Sequence, residues 1–561
     1  MARQAIDVQE RESLASLASK NETPVDDDVS GYVLTQSPRE PKDLEAGQGP
    51  NIYSKKHIGL LVQYFSAGLV YSCVYRLIYP FLNNYLRMSG VTTSSVSVLT
   101  AFPYTCKFFF GIVSDCFPIF GFRRRPYIAI GMAVCTICCL VMAVLPTGDP
   151  YYPDPSLAYV NPAKLTQEQK DSINYDAPNS GTAFVCLLIL ANMGIVVAGA
   201  AIGGVLVEFS QQEPEAVRGK AQTMIWAARY LGSVGASALV GFGLNSRDFG
   251  GTFGGSIGVN SVMGICAVVS LGAAISSWYN NTETKVVERL SFRGELRKMY
   301  ELMHSRVVYQ IVLFQFFQNM FSSVSVTASY PIQSVWAKVE PLNSSIAAII
   351  SSFIGIGTLS VVAKYGLGWN WRWIIVGCEL GVIALDLFPT FFTVWDVFRN
   401  QWFWIGIPLL EKVPSSISFV ISTYCMVEIA EKGNEAAFYG LLVSVSGLAS
   451  PFSTVITKNV DANFDIGLKY LQVDDTHVRT QVTYAYLFQY ACKIFSFVFL
   501  FLLPRQKAET RELKSKGEKS VVIGNLTIVM LVFVFIWSLM TNVMSIFPST
   551  ACLKVAGGTG C

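Results

Sequence analysis

The sequence predicts an all-α polytopic membrane protein with two six-helix halves and an extra C-terminal helix. Its 561 residues are 52% apolar and only 14% charged, whereas soluble domains carry roughly 25% charged residues. Long apolar runs recur along the chain, each near the roughly 20 residues that a helix needs to cross a bilayer. Runs of this length are helical because every backbone polar group must pair within its own segment. A short sequence pattern also occurs twice at constant spacing.

Thirteen membrane spans are predicted, twelve in a regular array and one at the end. They lie at 57–80, 91–114, 126–146, 182–207, 217–243, 255–279, 305–329, 343–365, 371–395, 401–428, 434–457, 482–504 and 520–546. The predicted organisation is a disordered cytoplasmic tail (1–55), an N-terminal half (56–280), a cytoplasmic linker (281–304), a C-terminal half (305–505), a basic cytoplasmic linker (506–519), and the extra helix with an extracellular tail (520–561).

The two halves share a sequence echo. Val427-Glu428 repeats Val207-Glu208 at an offset of 220 residues (428 − 208), and Glu435-Ala436 repeats Glu215-Ala216 at the same offset. Both copies stand between two apolar segments. Two six-helix halves related in parallel are a known transporter plan, with the substrate site at their interface near the midplane.

Lysine and arginine in the connections predict the orientation. One alternate set of connections carries most of the basic residues, and the other, including the 147–181 loop, has more acids than bases. Basic loops face the cytoplasm, so we expect a cytoplasmic N-terminus, an outer C-terminus and a plasma-membrane location. Cys552 and Cys561 would then lie in an oxidising space, where they either form a disulfide or remain free.

The loop between the second and third spans carries the most specific motif. It reads Gly111-Ile-Val-Ser-Asp115, then Cys-Phe-Pro-Ile-Phe-Gly-Phe, then Arg123-Arg-Arg125-Pro. Gly-x-x-x-Asp followed by Gly and a basic cluster resembles the signature loop of the major facilitator superfamily. The Phe-Pro-x-Phe-Gly and Arg-Arg-Arg-Pro motifs, with Lys107 upstream, are similar to those of folate-biopterin transporters. The Gly433–Ser444 stretch resembles that family's second-half motif, and Tyr79-Pro-Phe-Leu is most similar to oomycete members.

One departure from the family concerns the fourth span. Members usually carry two acids there, nine and five residues before the glutamate that matches Glu208. This chain has Gly199 and Gly203 at those positions. The resulting Gly-x-x-x-Gly predicts a small-residue seam for close helix packing. The departure puts the family's substrate in doubt more than its fold.

Polar side chains inside the spans are the candidates for substrate binding, because burying an ionisable residue in the membrane costs roughly 2.5–3.5 kcal/mol. Lys107 either neutralises an anionic substrate or snorkels to the membrane edge. Arg229 binds substrate or pairs with an acid of another helix. Gln315, Gln318 and Asn319 share one helical face, where amides either bind a heteroaromatic ring or join helices.

Two acids are the candidates for proton coupling. Glu411 falls in the middle of the tenth span and Asp386 in the ninth. A buried carboxyl is suited to take up and release a proton near neutral pH. The alternative is that both acids pair with Arg229 or Lys107 and only set the helix register.

Charged residues at the cytoplasmic ends of the spans predict a gate. They are Asp115, Arg123, Arg124, Arg125, Glu208, Arg218, Glu428 and Glu435. We expect these pairs to be exposed, and exposed pairs contribute only about 0–1 kcal/mol each, so the latch would open easily. The alternative is that the basic residues only set topology.

Other chemistries find no support in the sequence. It has no Gly-x-x-x-x-Gly-Lys-Ser/Thr loop for ATP, and its three histidines are far apart. We therefore expect no enzymatic activity, cofactor, metal or nucleic-acid partner. The predicted function is proton-coupled secondary transport of a folate- or pterin-like organic anion by alternating access, with the bilayer as its setting. The alternatives are another small organic solute, such as an amino acid or nucleoside derivative, and a non-transporting receptor on a transporter scaffold.

Overall fold

The structure is a computed structural model of a helical protein. It describes residues 54, 57–88, 90–159, 166–214, 219–281, 283–285, 291–366, 368–430, 435–461, 463–544 and 548–553. All of these belong to one unit, residues 48–561. The predicted N-terminal tail and Arg218 of the predicted gate lie outside the described residues, apart from Ser54 of the tail. The predicted domain boundaries stay predictions.

Thirteen long helices follow one another in the described part of the chain, one at each predicted span. They are α1 (Ile58–Leu77), α2 (Gly90–Ala101 and Lys107–Cys116), α3 (Arg125–Val144), α4 (Ala177–Gln211), α5 (Lys220–Gly243), α6 (Gly258–Tyr279), α7 (Arg306–Ser322), α8 (Pro341–Val361), α9 (Trp371–Val394), α10 (Gln401–Gly406 and Lys412–Ile429), α11 (Glu435–Asp461), α12 (Thr476–Phe495) and α13 (Val521–Met544).

Ten of these helices, within the described residues, are long and apolar enough to cross a membrane. The remaining three have individual reasons for falling short. Helix α2 is interrupted, α7 has only 17 residues, and α5 is rich in small and polar side chains and contains Arg229. A multi-pass membrane protein follows from the ten spans alone.

Irregular turns interrupt the helices where candidate residues lie. A 3-10 turn, Phe102–Cys106, separates the two parts of α2, and Lys107 begins the second part. A second 3-10 turn, Pro408–Glu411, divides α10 just before Lys412. A proline stands near the start of each turn and removes a backbone donor from the helical ladder. Such breaks inside long helices often mark functional positions.

The helix contacts have a two-fold pattern. Helix α2 of the first half packs against α11, which is the fifth helix of the second half. Conversely, α5 packs against α8, the second helix of the second half. This exchange of equivalent helices is what two six-helix halves related by a two-fold axis produce, in agreement with the sequence echo.

Both predicted linkers contain a helix that the sequence reasoning missed. The first linker helix is Phe292–Met303 and the second is Lys507–Lys516. They are short and amphipathic or strongly polar, so the search for long apolar runs passed over them.

Helix α13 lies across both halves. Its Phe535 ring is 5.7 Å from that of Phe109 on α2, and its Trp537 ring is 5.6 Å from that of Phe452 on α11. Near its start, Asn525 Oδ1 lies 2.9 Å from His304 Nε2, at the end of the first linker helix. The extra helix therefore packs on the α2–α11 crossing instead of standing apart from the bundle.

Candidate substrate site and gate

Lys107 lies inside the protein rather than at its surface. Only 6% of the residue is exposed, and its Nζ lies 4.5 Å from the ring centroid of Tyr439 on α11. A second ring, that of Tyr104, is 5.9 Å away. The amine is thus held between the two halves by aromatic faces, which attract a cation through the ring quadrupole.

Arg229 lies in the same aromatic region. Its guanidinium is 5.3 Å from the Tyr71 ring and 5.5 Å from the Trp226 ring. Its Nη2 donates a 3.3 Å hydrogen bond to the hydroxyl of Tyr104. Tyr104 therefore contacts both cations. Lys107 and Arg229 lie in the same region of the structure, which could not be predicted from their positions in the sequence.

Neither cation has an acidic partner within the part of the chain that the structure describes. The ion pairs formed there involve other lysines and arginines. The Nε1 of Trp226, beside Arg229, also lacks a hydrogen-bond partner among these residues. Burying a charge without a counter-charge is costly, so the arrangement favours a bound anion.

The two glycines of α4 face this site. A Cβ atom on Gly199 would lie 3.7 Å from Nζ of Lys107, with only the lysine side chain nearby. A Cβ on Gly203 would lie 2.1 Å from the Tyr439 ring. Close packing at the predicted small-residue seam occurs at Gly203, against a side chain of α11, and not at Gly199. Gly199 leaves open space beside the amine, and Gly203 makes room for the ring that covers it.

The three amides of α7 separate into two environments. Gln315 is 3% exposed, and its Oε1 accepts hydrogen bonds from Asn319 Nδ2 (3.1 Å) and from Ser446 Oγ on α11 (3.3 Å). Gln318 instead donates a 3.3 Å bond to Glu379 on α9. The Nε2 of Gln315 has no partner among the described residues, so this pair of amides keeps one donor for a ligand.

The two candidate proton carriers lie in an acidic cluster of the second half. Asp386 Oδ2 accepts a 2.9 Å hydrogen bond from the hydroxyl of Tyr490. Glu411 is half-buried, and its Oε1 has no partner among the described residues. Lys493 on α12 is near enough to act electrostatically on both Glu411 and Glu379. Neither predicted acid pairs with Lys107 or Arg229, so that alternative from the sequence is wrong.

Lys412 follows Glu411 but points to the first half. Its Nζ lies 4.4 Å from the ring centroid of Tyr230, the neighbour of Arg229 on α5. It is a third cation at the boundary between the halves. It was not among the candidate residues predicted from the sequence.

Arg124 is the centre of the gate. Its guanidinium, 2% exposed, pairs with Asp115, with Glu208 at 2.7 Å and with Glu435 of α11 at 3.3 Å. Three carboxylates from three helices thus share one cation, and one of them belongs to the other half. We refer to this end of the bundle as the arginine end.

The gate is buried, which corrects the prediction that its pairs are exposed. Asp115 is 1% exposed and Arg124 is 2% exposed. The cause is close packing of α2 on α11. A Cβ on Gly111 would lie 2.4 Å from the carbonyl oxygen of Ala436. Because a buried pair resists loss of one partner far more than an exposed pair, this latch is stronger than the sequence suggested.

Asp115 also binds the start of α11 across the boundary between the halves. Its Oδ2 accepts a 2.8 Å hydrogen bond from the backbone N–H of Ala437. The first N–H groups of a helix have no partner in the helix itself, and they carry partial positive charge. An acid of the first half therefore caps the N-terminus of a helix in the second half.

The flanking arginines contribute their backbones to the gate. The N–H groups of Arg123, Arg124 and Arg125 donate to the carboxylate of Glu283 at 2.6, 2.9 and 3.0 Å. Glu283 lies just after α6 and was not predicted. The Arg125 side chain packs over the Phe122 ring instead of joining the carboxylates.

Glu428 stands outside the Arg124 cluster. It pairs with Arg511 of the second linker helix at 2.9 Å, and so it fixes that linker to α10.

A carboxylate also lies at the start of α5, where Glu213 accepts hydrogen bonds from the N–H groups of Gly219 (2.7 Å) and Ala221 (2.9 Å). Burial raises the pKa of the Glu213 carboxyl, and these two donors oppose that rise.

Cys552 is disulfide-bonded, whereas Cys561 lies outside the described residues. No group of three or more His, Cys, Asp or Glu side chains suited to a metal occurs in the described part of the chain.

Known proteins match this sequence in part and this fold over most of its length. Residues 68–160 match the sequence family described as the BT1 family. The folate-biopterin transporter of Synechocystis is 21% identical over 382 residues, which cover 66% of this chain and 68% of that protein. The predicted resemblance to folate-biopterin transporters is confirmed. The resemblance to oomycete members stays a prediction.

A second folate-biopterin relative matches a shorter stretch. The probable folate-biopterin transporter 4 of Arabidopsis thaliana is 25% identical over 183 residues, covering 33% of this chain and 31% of that protein.

Solved structures confirm the predicted major facilitator fold. The proton:xylose symporter XylE bound to 6-bromo-6-deoxy-D-glucose has a TM-score of 0.52 at 14% identity, covering 83% of this chain and 98% of that one. A D-xylose-proton symporter structure gives 0.53 at 13% identity, with 82% and 98% covered. At this identity the likeness concerns the fold alone. With the folate-biopterin relatives, it identifies a membrane transporter with a small-molecule substrate.

Proposed function

We propose that the protein is a secondary active transporter of folate- or pterin-like organic anions, coupled to protons and working by alternating access. The observation that carries the proposal is a pair of cations inside the helix bundle, Lys107 and Arg229, for which the described residues supply no carboxylate. The two relatives named as folate-biopterin transporters support the substrate class.

An anion bound here would replace the missing counter-charge. Lys107 and Arg229 both contact Tyr104, so one carboxylate could approach both donors along that ring. Lys412 would add a third positive charge from the second half. Contact with both halves is what a transported substrate needs, because its binding energy must act on the boundary that opens and closes.

The surroundings also suit a flat heteroaromatic ring. Tyr71, Tyr104, Trp226 and Tyr439 present aromatic faces around the cations, and offset stacking with a pterin would use these faces. The Gln315–Asn319 pair offers amide donors and acceptors on α7. We assign these amides to recognition of the ring, and Gln318 to support of Glu379.

Glu411 and Asp386 are proposed to carry the proton. The Glu411 carboxyl is half-buried in α10, one residue before Lys412. Protonation of Glu411 would remove a negative charge beside Lys412, the proposed third cation of the site, and so favour anion binding. This link between proton and anion is the basis of symport in the proposal.

The Arg124 cluster is proposed as the inner gate. Together with the positive-inside rule, it would place the arginine end and the N-terminus in the cytoplasm, in a plasma-membrane protein. Rocking of the halves would break the bonds from Arg124 to Glu435 and from Asp115 to Ala437, because each joins one half to the other.

A second cargo class is favoured by Gly199 and Gly203. If the family's acids at these positions recognise pterin, this chain has lost that contact. Another small organic anion, such as an amino acid or nucleoside derivative, would then be the substrate of the same cationic site.

Uptake by purified protein in proteoliposomes tests the function. We expect radiolabelled folate to accumulate when the outside is more acidic, and to accumulate less without the gradient. In Glu411→Gln, counterflow should persist while gradient-driven accumulation is lost. Glu301→Gln, on an exposed linker helix, is the control. Accumulation of a different anion would favour the second cargo class, and binding without counterflow for any solute would indicate a receptor.

A further inference from the structure

A cavity of about 450 Å³ lies away from the substrate site, at the start of α9 and the end of α12. Its lining residues are Asn370, Arg372, Trp373, Val376, Leu500 and Arg505. This volume is within the range of small-ligand sites. The cavity lies at the arginine end of the bundle. Gln506 donates a hydrogen bond to Trp369 beside the cavity, and the second linker helix, which follows Gln506, pairs with Glu428 near the end of α10.

Two guanidiniums give the cavity its charge. Arg372 is held in place by bonds from its Nε to the carbonyl oxygen of Leu503 (2.5 Å) and from its Nη2 to that of Phe501 (3.2 Å). Glu509, the nearest acid on the chain, accepts the backbone N–H of Arg505. Within the described residues, neither guanidinium forms an ion pair, so the cavity has a net positive lining.

The other residues that line the cavity suit a position at the boundary between lipid headgroups and acyl chains. Val376 and Leu500 form an apolar side, whereas Asn370 is exposed at the cap of α9. Trp373 is 73% exposed, and tryptophan is enriched where a membrane protein meets the headgroup region. Both α9 and the extension of α12, Ser496–Leu502, belong to predicted membrane spans, and the cavity lies where they end.

We propose that this cavity binds the phosphate of an anionic phospholipid, with an acyl chain along Val376 and Leu500. Arginine suits the task because its planar fork donates two hydrogen bonds to a phosphate. Basic pockets between helix ends bind anionic headgroups in this manner. The apolar wall and the exposed tryptophan favour a lipid over free phosphate, which shares only the charged part of the site.

Binding would also stabilise the start of the second linker helix. The carbonyl oxygen of Arg505 accepts a 2.9 Å bond from the N–H of Trp371, and Gln506 donates a 3.0 Å bond to Trp369. A ligand that joins Arg372 to Arg505 would therefore strengthen an existing junction. Because only the folded protein forms the cavity, bound lipid raises the unfolding temperature.

The test uses the full chain in nanodiscs of phosphatidylcholine alone or with phosphatidylglycerol. We expect phosphatidylglycerol to raise the Tm of the wild type, and native mass spectrometry to find retained phosphatidylglycerol. The double variant Arg372→Gln/Arg505→Gln should lose at least half of the Tm rise and the retained lipid. The charge-matched control, Arg293→Gln/Arg297→Gln on the first linker helix, should keep both.

Two further arms keep the test decisive. Arg505→Gln alone leaves the Arg372 bonds to α12 in place, so it should fold and still lose retained lipid. An equal Tm rise and equal retention in both Arg505 variants and the wild type would overturn the proposal. A full Tm rise on adding inorganic phosphate to phosphatidylcholine nanodiscs would also overturn it, in favour of a free-phosphate site.

Discussion

A Cβ atom on Gly199 would lie 3.7 Å from the Nζ of Lys107. An acid at this position would therefore reach the amine and form an ion pair inside the proposed substrate site. The chain has glycine instead, and among the described residues Lys107 has only aromatic neighbours for its charge. The identity of residue 199 thus decides whether the lysine is available to a substrate.

Gly199→Asp should strongly reduce anion uptake while Gly199→Ala retains it. The aspartate would neutralise Lys107, and loss of one partner in a buried charge pair costs roughly 2–5 kcal/mol, so apparent affinity should fall more than about tenfold. Alanine fits, since nothing but the flexible lysine lies near its Cβ. Uptake by the two variants at equal expression is the measurement. Equal uptake would show that Lys107 does not meet the substrate.

Arg124→Gln should destabilise the protein much more than Arg125→Gln. Loss of Arg124 breaks its buried ion pair with Asp115, and breaking a buried pair costs about 3–5 kcal/mol. The Arg125→Gln variant loses a cation–π contact with the Phe122 ring, and such contacts contribute about 0.5–2 kcal/mol. Thermal unfolding in detergent distinguishes them. A similar fall in Tm for both variants would argue against a buried gate centred on Arg124.

Gly111→Ala should open the arginine end. The new methyl group would meet the backbone oxygen of Ala436 at 2.4 Å, and two helix backbones cannot yield as a side chain can. Cys116, 1% exposed at the end of α2, should then react faster with a maleimide, as read by peptide mass spectrometry. Gly377→Ala, where nothing lies within 4 Å of the Cβ, is the control. Unchanged labelling in Gly111→Ala would contradict a gate at this crossing.

Asp474 should make stability depend on acidic pH. A hydrogen bond from Arg399 lowers the pKa of its carboxyl, and Arg479 lowers it further. Because the folded pKa lies below the unfolded value of about 3.9, the contribution is complete above that value. It is lost as the pH falls through the folded pKa. Below about pH 4, the Tm of Asp474→Asn should therefore fall less steeply than that of the wild type. Parallel Tm profiles would exclude this role.

Much of the fold could be predicted because its cause is local. Apolar length alone located thirteen helices, and the echo of Val207-Glu208 at Val427-Glu428 suggested two related halves. The breaks at Phe102–Cys106 and Pro408–Glu411 were missed, since a proline in an apolar run signals a kink without fixing where the helix resumes. The two linker helices were missed because they are short and amphipathic or strongly polar, so they contain no long apolar run.

The site was less predictable, because its geometry depends on contacts between distant helices. Lys107 and Arg229 were recognisable as charges within spans. Their shared contact with Tyr104 was not, since tyrosine in a membrane helix has many ordinary roles. Nothing in the sequence distinguishes Glu283 and Lys412 from other charged residues in loops and at helix breaks, so they were not predicted. For the gate, the motif identified Asp115 and the arginines, whereas only the packing of α2 on α11 explains the burial of Arg124.

The most direct test of the proposed anion site is equilibrium binding of radiolabelled folate to purified Lys107→Gln and Arg229→Gln. We expect each variant to weaken binding more than about tenfold, because each removes a cation from the interior of the bundle, where charge pairs are poorly screened. Arg306→Gln, which lies in an exposed pair with Glu518, should bind as the wild type does. Wild-type affinity in both Lys107→Gln and Arg229→Gln would contradict the account.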